Sequence, residues 1–166
     1  RASYSSTRFG MTSAKRRLAN QIFRRFSRDV FAVSEDVKTH LVGEGFSARQ
    51  VGGMHNGIDV GPPPTAELRA EIRRRLGVGD AEFVIGTIAR LDPVKDLGTL
   101  LDAAARMRTE RPILVAIIGD GPELRRLEEA AAASPAASVI RFLGHRDDAR
   151  RWLGGCDVYV NCSVSE

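Results

Sequence analysis

The feature that most constrains this chain is the stretch 83–96, FVIGTIARLDPVKD. Its first half is an apolar run rich in β-branched residues, which predicts a strand over 83–89 that is covered on both faces, as in a parallel sheet. Its second half is polar, with Arg90 directly after the strand and Lys95 just before a predicted helix. In open α/β sheets, ligands bind beyond the carboxyl ends of the strands. Two cations beside a helix N-terminus there predict a site for a phosphate or diphosphate, and the alternative is two solvated loop charges.

Strands and helices alternate through the rest of this half of the chain. Further strands are predicted at 112–118, 138–143 and 157–160. Helices are predicted to begin at Thr65, after Asp96 as an N-cap, with Pro122 as the first helical residue, and at Asp147 or Asp148. Gly77 is predicted to end the helix that Thr65 opens, and Pro93 to end regular structure after the strand over 83–89. In the first half of the chain, Ser34 is predicted to cap a helix. This alternation predicts βαβ units with right-handed crossovers. The predicted fold class is therefore α/β, with a Rossmann-like doubly wound parallel sheet.

A stiff interruption at Gly61 and the three prolines after it predicts a domain boundary. The domains are then residues 1–60 and 61–166. Their charges differ, because residues 1–50 hold 10 Lys+Arg and 4 Asp+Glu out of totals of 25 and 21. The positive charge of the chain therefore belongs to the N-terminal segment.

Much of that charge lies on a predicted amphipathic helix over 13–27. Its apolar face holds Leu18, Ala19, Ile22, Phe23 and Phe26, and arginines lie opposite. We expect the apolar face to lie in a core and the basic face in water. Contact with an anionic lipid or an anionic substrate is the alternative. Nucleic acid is disfavoured, because no recognised binding motif accompanies the arginines.

Several other classes of protein are disfavoured by missing motifs. The sequence has no G-x-G-x-x-G, no G-x-x-x-x-G-K-[ST] and no G-x-S-x-G. Cys156 and Cys162 are expected to be reduced buried thiols, and the three histidines lack metal-ligand spacing, so no metal site is predicted. No apolar stretch reaches the roughly 20 residues of a membrane span. The chain starts without Met or an apolar leader, and we expect it to be a piece of a longer protein.

The unusual residues of the second half all follow predicted strands. Besides Arg90 and Lys95, they are Gly119 to Pro122, Gly144 to Asp147, and Ser163 to Glu166. Glycines there let backbone N–H groups approach a ligand, although a plain tight turn is an equally good explanation.

Six segments in order resemble one family, the retaining sugar-nucleotide glycosyltransferases of family 4. The segments are FAVSEDV at 31–37, HNGID at 55–59, ARLDPVKD at 89–96, IIGDGPE at 117–123, FLGHRDD at 142–148 and DVYVNCSVSE at 157–166. The resemblance implies the GT-B architecture of two Rossmann-like domains. Residues 1–60 would then be the end of the acceptor-side domain plus a hinge, a partial second Rossmann-like element, and residues 61–166 a truncated donor-binding domain.

The resemblance also implies roles for individual residues. Arg90 and Lys95 would hold the donor diphosphate and act in catalysis. Other donor-site residues would be Gly119 and Gly121 in a bordering loop, Gly144, His145 and Arg146 near the base, and Glu166 facing the sugar and ribose, while Asn56, Gly57 and Asp59 would form the hinge. Where the family often has glycine, this chain has Ala89 and Asp96, which change only local backbone freedom.

The implied reaction is metal-independent transfer of a sugar from a nucleoside diphosphate sugar, with retention, to a glycan or lipid-linked acceptor. The donor is a substrate, and no cofactor is expected. We expect the chain to be inactive by itself, since acceptor-side groups would lie upstream of it. A cytoplasmic location is expected, with peripheral membrane contact left open. A sugar-nucleotide epimerase of GT-B architecture and a non-catalytic nucleotide-binding module are the alternatives.

Overall fold

A computed structural model of the protein describes residues 13–164, with side chains described from Leu18 onward. The chain divides into two compact units between Gly61 and Pro62.

The first unit pairs two short parallel strands with two helices. Its elements are α1 (Ser13–Phe26), β1 (Val30–Ala32), α2 (Glu35–Gly43) and β2 (Val51–Gly53). Ser34 caps α2 by accepting a hydrogen bond from the Val37 N–H at 3.2 Å, as the sequence predicts. The buried apolar residues of the unit are Ala32, Phe46 and Val51, so its core is small.

The apolar face of α1 is exposed in this structure, so the prediction that it lies in a core is wrong. Phe23 is 63% exposed and Phe26 is 83% exposed. The helix is held instead through polar contacts. The Asn20 side chain donates to Glu44 at 2.7 Å, and the Gln50 side chain donates to the carbonyl of Ser27 at the end of the helix. Helical periodicity identified a shared face but not what covers it.

The second unit contains a four-stranded, all-parallel sheet. Its strands are β3 (Phe83–Ile88), β4 (Ile113–Ile118), β5 (Ile140–Gly144) and β6 (Val158–Tyr159). They lie in the order β5-β4-β3-β6, with Phe83 opposite Ile113 and Ile85 opposite Val158. The predicted fold class, α/β with a Rossmann-like parallel sheet, is confirmed.

Helices cover both faces of this sheet. They are α3 (Ala66–Leu76), α4 (Leu97–Arg106), α5 (Leu124–Ala132) and α6 (Ala149–Trp152). Alternate strand residues point to opposite sides, so Ile85 and Val115 pack with α4 and α5, whereas Val84 and Leu114 pack with α3 and α6. Two buried cores therefore hold the sheet rigid between two helical layers.

Local signals placed the helix ends of this unit well. Thr65 caps α3 by accepting from the Leu68 N–H at 3.2 Å, and Gly77 ends it in the left-handed conformation at φ 64°. Pro122 was predicted to be the first residue of a helix, but α5 begins two residues later. Pro93, expected to end regular structure, instead opens a 3₁₀ turn over Pro93–Lys95.

Candidate functional site

The strand order of the second unit reverses between β3 and β6, which is the position where doubly wound sheets bind ligands. The loops that follow these two strands lie side by side. The Val160 N–H, directly after β6, donates to Gly86 O within β3 at 2.9 Å. Further along, the Val164 N–H donates to Val94 O, in the loop after β3, at 3.0 Å. The space beyond the carboxyl ends of β3 and β6 is therefore bounded by two loops that are bonded to each other.

The loop after β3 is anchored to the loop after β4 by its backbone. The Leu91 N–H donates to Asp120 O, and Leu91 O accepts from the Glu123 N–H, both at 2.9 Å. The Leu91 side chain is fully buried in the core of the unit. Because the residue after Arg90 is fixed in this way, the backbone from which Arg90 extends is fixed as well.

Arg90 extends from this anchored backbone into solvent, with 73% of its side chain exposed. Its Nε atom lies 3.6 Å from Oδ2 of Asp92, while Oδ1 of Asp92 accepts from the Val94 N–H at 3.2 Å. Exposed ion pairs of this kind are weak. The guanidinium is thus oriented by a carboxylate yet remains accessible to an anion.

Lys95 lies at the end of the 3₁₀ turn, half-buried, and Asp96 separates it from the first residue of α4. Asp96 occupies the N-cap position, but the prediction that it caps the helix is wrong. Its carboxylate accepts from the Thr99 hydroxyl at 2.8 Å but, among the described residues, from no N–H of the first helical turn, and its φ of 42° is left-handed.

Gly119 and Gly121 have a packing reason for being glycine. A Cβ atom on Gly119 would lie 1.9 Å from Ala89 O, and one on Gly121 would lie 2.4 Å from Leu91 O. The loop after β4 therefore sits directly on the loop that carries Arg90. The predicted contact of these glycines with a ligand stays a prediction.

The stretch from Gly144 to Arg146 joins the same group of loops through its first residue. Gly144 O accepts from the Gly119 N–H at 2.9 Å. The exposed His145 ring lies 3.3 Å from Asp147, and the Arg146 guanidinium stacks 4.8 Å from the centre of the Trp152 ring. The Arg146 side chain is thus engaged with the protein, which leaves the backbone groups and the exposed His145 ring as the parts of this stretch able to meet a base.

The predicted roles of two further groups, the donor contact of Glu166 and the hinge of Asn56, Gly57 and Asp59, stay predictions. Glu166 lies outside the described residues. Asn56, Gly57 and Asp59 precede the boundary between the units, where Asp59 accepts from the Gly61 N–H at 2.9 Å. Within residues 13–164, no group of three or more His, Cys, Asp or Glu side chains could hold a metal ion.

A buried ionic cluster at the opposite, amino ends of the strands was not predicted. The nearly buried Arg73 donates to Gly155 O at 3.1 Å and lies 3.3 Å from Oδ2 of Asp157. The same carboxylate accepts from the Val84 N–H at 2.7 Å and from Arg69 at 2.6 Å. Burial alone would raise the pKa of Asp157, but these hydrogen bonds outweigh it and hold that pKa below its ordinary value. Arg69 and Arg73 lie one helical turn apart, so the sequence places both guanidiniums on one face of α3. This spacing is the sequence feature from which a charged cluster could have been predicted.

The thiol of Cys156 lies beside this cluster and is free, as is that of Cys162. Burial and the neighbouring Asp157 raise the pKa of Cys156 to about 11. The group is therefore a neutral thiol at physiological pH, and it packs against Gly86, where an added Cβ would lie 2.4 Å from its sulfur.

Comparison with known proteins identifies the class that this fold and crevice represent. The model of the family described as Glycosyl transferases group 1 matches residues 82–166, and the chain belongs to that family. The predicted GT-B type of glycosyltransferase is confirmed at this level, while family 4 and retention stay predictions.

Individual relatives agree with this assignment. The chain is 31% identical over 160 residues to the candidate glycosyltransferase EpsF of Bacillus subtilis, covering 92% of this chain and 41% of EpsF. It is 39% identical over 98 residues to D-inositol 3-phosphate glycosyltransferase of Geodermatophilus obscurus, covering 49% of this chain and 22% of that protein. The chain thus spans less than half the length of these relatives.

A solved structure matches both in fold and in sequence. It is Anabaena HepE in complex with UDP, at 25% identity and a TM-score of 0.84, covering 93% of this chain and 43% of HepE.

Within residues 13–164, no helix is long and apolar enough to cross a membrane.

Proposed function

We propose that this chain contains the donor-binding part of a retaining, family 4 glycosyltransferase. The observation that carries the proposal is the position of Arg90 and Lys95. Both lie on the anchored loop that follows β3, at the switch point of a Rossmann-like sheet, in a chain of this glycosyltransferase family. A doubly negative diphosphate is the ligand that suits two cations beside a helix N-terminus.

The proposed nucleotide is uridine diphosphate. HepE structures that contain UDP, and UDP-glucose, match this chain with TM-scores of 0.84 and 0.81. We propose that backbone groups near Gly144 hold the uracil base. This agrees with the structure of the stretch, because the Arg146 side chain is already engaged by the Trp152 ring. We propose a UDP-sugar as donor.

The proposed chemistry depends on charge at the leaving group. The bond between the anomeric carbon of the donor and the diphosphate oxygen breaks, and negative charge grows on the departing diphosphate. Arg90 and Lys95, carried on a loop whose backbone is anchored before the reaction begins, stabilise that charge more strongly in the transition state than in the ground state. They supply the compensation that a metal ion gives in other enzymes, so we propose that transfer is metal-independent.

The proposed acceptor is a glycan or a lipid-linked molecule. One relative, 30% identical over 105 residues and covering 61% of this chain and 26% of its own length, is Alpha-monoglucosyldiacylglycerol synthase of Acholeplasma laidlawii. The names of the three relatives describe glycosyl transfer or synthesis of a glycolipid. They therefore favour a glycosyltransferase over the two alternatives, a sugar-nucleotide epimerase and a non-catalytic nucleotide-binding module. We propose that acceptor-side groups come from sequence beyond this chain, so that the chain binds donor without turning it over.

Calorimetric titration of the chain with UDP tests the proposal. Arg90→Ala and Lys95→Ala should each weaken binding by roughly 1.5–3 kcal/mol, the range for hydrogen bonds to charged groups. The control is Arg125→Ala, because Arg125 is an exposed arginine paired with Glu129 on α5. Chelator should leave UDP binding unchanged. If both variants bind UDP as the unaltered chain does, the site assignment is wrong.

A further inference from the structure

The first unit contains a basic cleft that the proposed donor site does not use. It has a volume of about 330 Å³ and is lined by Gln21, Arg24, Arg25, Gly45, Ser47 and Gln50. Cavities of this size are typical of small-ligand sites. The lining consists of two guanidiniums, two amides, a hydroxyl and one glycine, and it contains no carboxylate.

The cleft lies at the opposite end of the strands from the position where ligands of parallel α/β sheets usually bind. Arg24 and Arg25 lie in the last turns of α1, directly before β1, and Ser47 and Gln50 lie directly before β2. The Val30 N–H donates to Gln50 O at 2.9 Å, which ties the two segments together. The cleft is therefore at the amino ends of the two parallel strands, whereas sheet ligands bind at the carboxyl ends.

The two guanidiniums of the cleft are available to a ligand. Across residues 13–164, neither Arg24 nor Arg25 forms an ion pair. The nearby carboxylate of Glu44 accepts a hydrogen bond from Asn20 at 2.7 Å and does not line the cleft. Two adjacent unpaired guanidiniums favour an anion that can accept several hydrogen bonds at once.

The local backbone also suits this arrangement. Gly45 has a φ of 97°, and a Cβ atom there would lie 2.7 Å from Nη1 of Arg24. Glycine at this position therefore lets the Arg24 head group lie against the loop. The Gln50 side chain bonds to the Ser27 carbonyl at the end of α1, which holds the far wall of the cleft in place.

We propose that this cleft binds a phosphate group through Arg24 and Arg25, with the Ser47 hydroxyl as a further donor. The phosphate can belong to a soluble phosphoester or to a lipid headgroup. The exposed apolar side chains of α1, including Phe23 and Phe26, lie on the same helix and would face the acyl region in the second case.

Titration with inorganic phosphate at constant ionic strength tests the proposal. The backbone amide signals of Gly45 and Ser47 should shift saturably. The double variant Arg24→Gln, Arg25→Gln should lower the affinity at least tenfold. The matched control is Arg74→Gln, Arg106→Gln, which removes the same charge from exposed positions of the second unit and should change nothing. A far-ultraviolet spectrum and a melting curve of each variant check that it folds.

A second arm distinguishes the two sources of phosphate. The chain is sedimented with vesicles of phosphatidylglycerol and with vesicles of phosphatidylcholine. Saturable phosphate binding without vesicle binding identifies a soluble phosphoester, and phosphatidylglycerol binding that the double variant loses identifies a lipid headgroup. If neither probe binds, or if the double variant binds both as well as the unaltered chain, the proposal is overturned.

Discussion

The two ends of the four-stranded sheet carry charged residues in opposite states. At the amino ends, Arg73 is 3% exposed and is saturated by carbonyls and by Asp157. At the carboxyl ends, Arg90 is 73% exposed and has a single carboxylate 3.6 Å away. A buried, fully satisfied cation contributes to stability, whereas an exposed and weakly paired cation on a fixed backbone is suited to binding.

The loops at the two ends differ in the same way. At the amino ends, side chains join the elements, since Asp157 bonds to β3 and to α3 at once. At the carboxyl ends, backbone groups join the loops to one another, which leaves the side chains of Arg90 and His145 directed to solvent. Substitutions at the amino ends should therefore change stability alone, and those at the carboxyl ends should change binding.

The largest effect is expected for Asp157→Asn. Arg73 would keep its carbonyl partners but lose its counter-charge in a buried site, so the free energy of unfolding should fall by about 3 kcal/mol. Urea denaturation measures this change, and UDP affinity should stay the same in the folded variant. Asp102→Asn, on the exposed side of α4, is the matched control. A loss no greater than that of the control would show that the cluster is not stabilising.

The same carboxylate predicts a pH dependence. Because its folded pKa is lowered, its stabilisation is complete above the ordinary Asp value of about 3.9 and is lost as pH falls through the folded pKa. The unfolding free energies of the unaltered chain and of Asp157→Asn should therefore converge in acid. A difference that stays constant from pH 7 to about pH 2 would contradict this.

Gly119→Ala is expected to have the next largest effect, at the other end of the sheet. The new methyl group would meet Ala89 O at 1.9 Å, and φ is 141°. We expect a loss of about 2 kcal/mol in unfolding free energy. Because the displaced loop carries Arg90, UDP affinity should fall as well.

Gly98→Ala is the control for that substitution. It adds the same methyl group inside α4, where the closest atom is 3.8 Å away, and should raise stability by about 0.5 kcal/mol. Equal effects of the two substitutions would contradict the close approach of the loops.

These cases show what could be predicted from sequence. The apolar runs identified β3 and β4, and short-range chemistry identified the caps at Ser34, Thr65 and Gly77. Each of these depends on neighbours within a few residues. The order β5-β4-β3-β6 depends on pairing between distant segments, and it came only with the structure.

The remaining differences have the same physical origin. Arg73 and Asp157 are 84 positions apart, so nothing local marked them as partners. The sequence around Gly119 predicts either a tight turn or a ligand contact, whereas the structure adds close contact with a second loop. Arg90 can be selected as a candidate from the sequence because its position after an apolar strand is itself a local signal, and its role in binding stays a prediction.

Asp96 tests backbone strain beside the site, with a smaller expected effect. At φ 42°, a residue with a Cβ atom is strained, although aspartate tolerates this region better than alanine does. Asp96→Ala should therefore be less stable than Asp96→Gly by about 1 kcal/mol. Thermal unfolding of the pair measures the difference. Equal stabilities would show that the left-handed conformation at this residue carries no cost.

The smallest effect on stability is expected for Arg90→Ala. The side chain is mostly exposed and its contact with Asp92 is 3.6 Å long, so the unfolding free energy should change by less than about 0.5 kcal/mol. The same variant should lose UDP affinity, which is the reverse of the pattern expected for Asp157→Asn. Urea denaturation and calorimetry on one preparation measure both quantities. If Arg90→Ala instead destabilised the chain as strongly as Asp157→Asn, Arg90 would belong to the structural group of charges, and the division between the two ends of the sheet would fail.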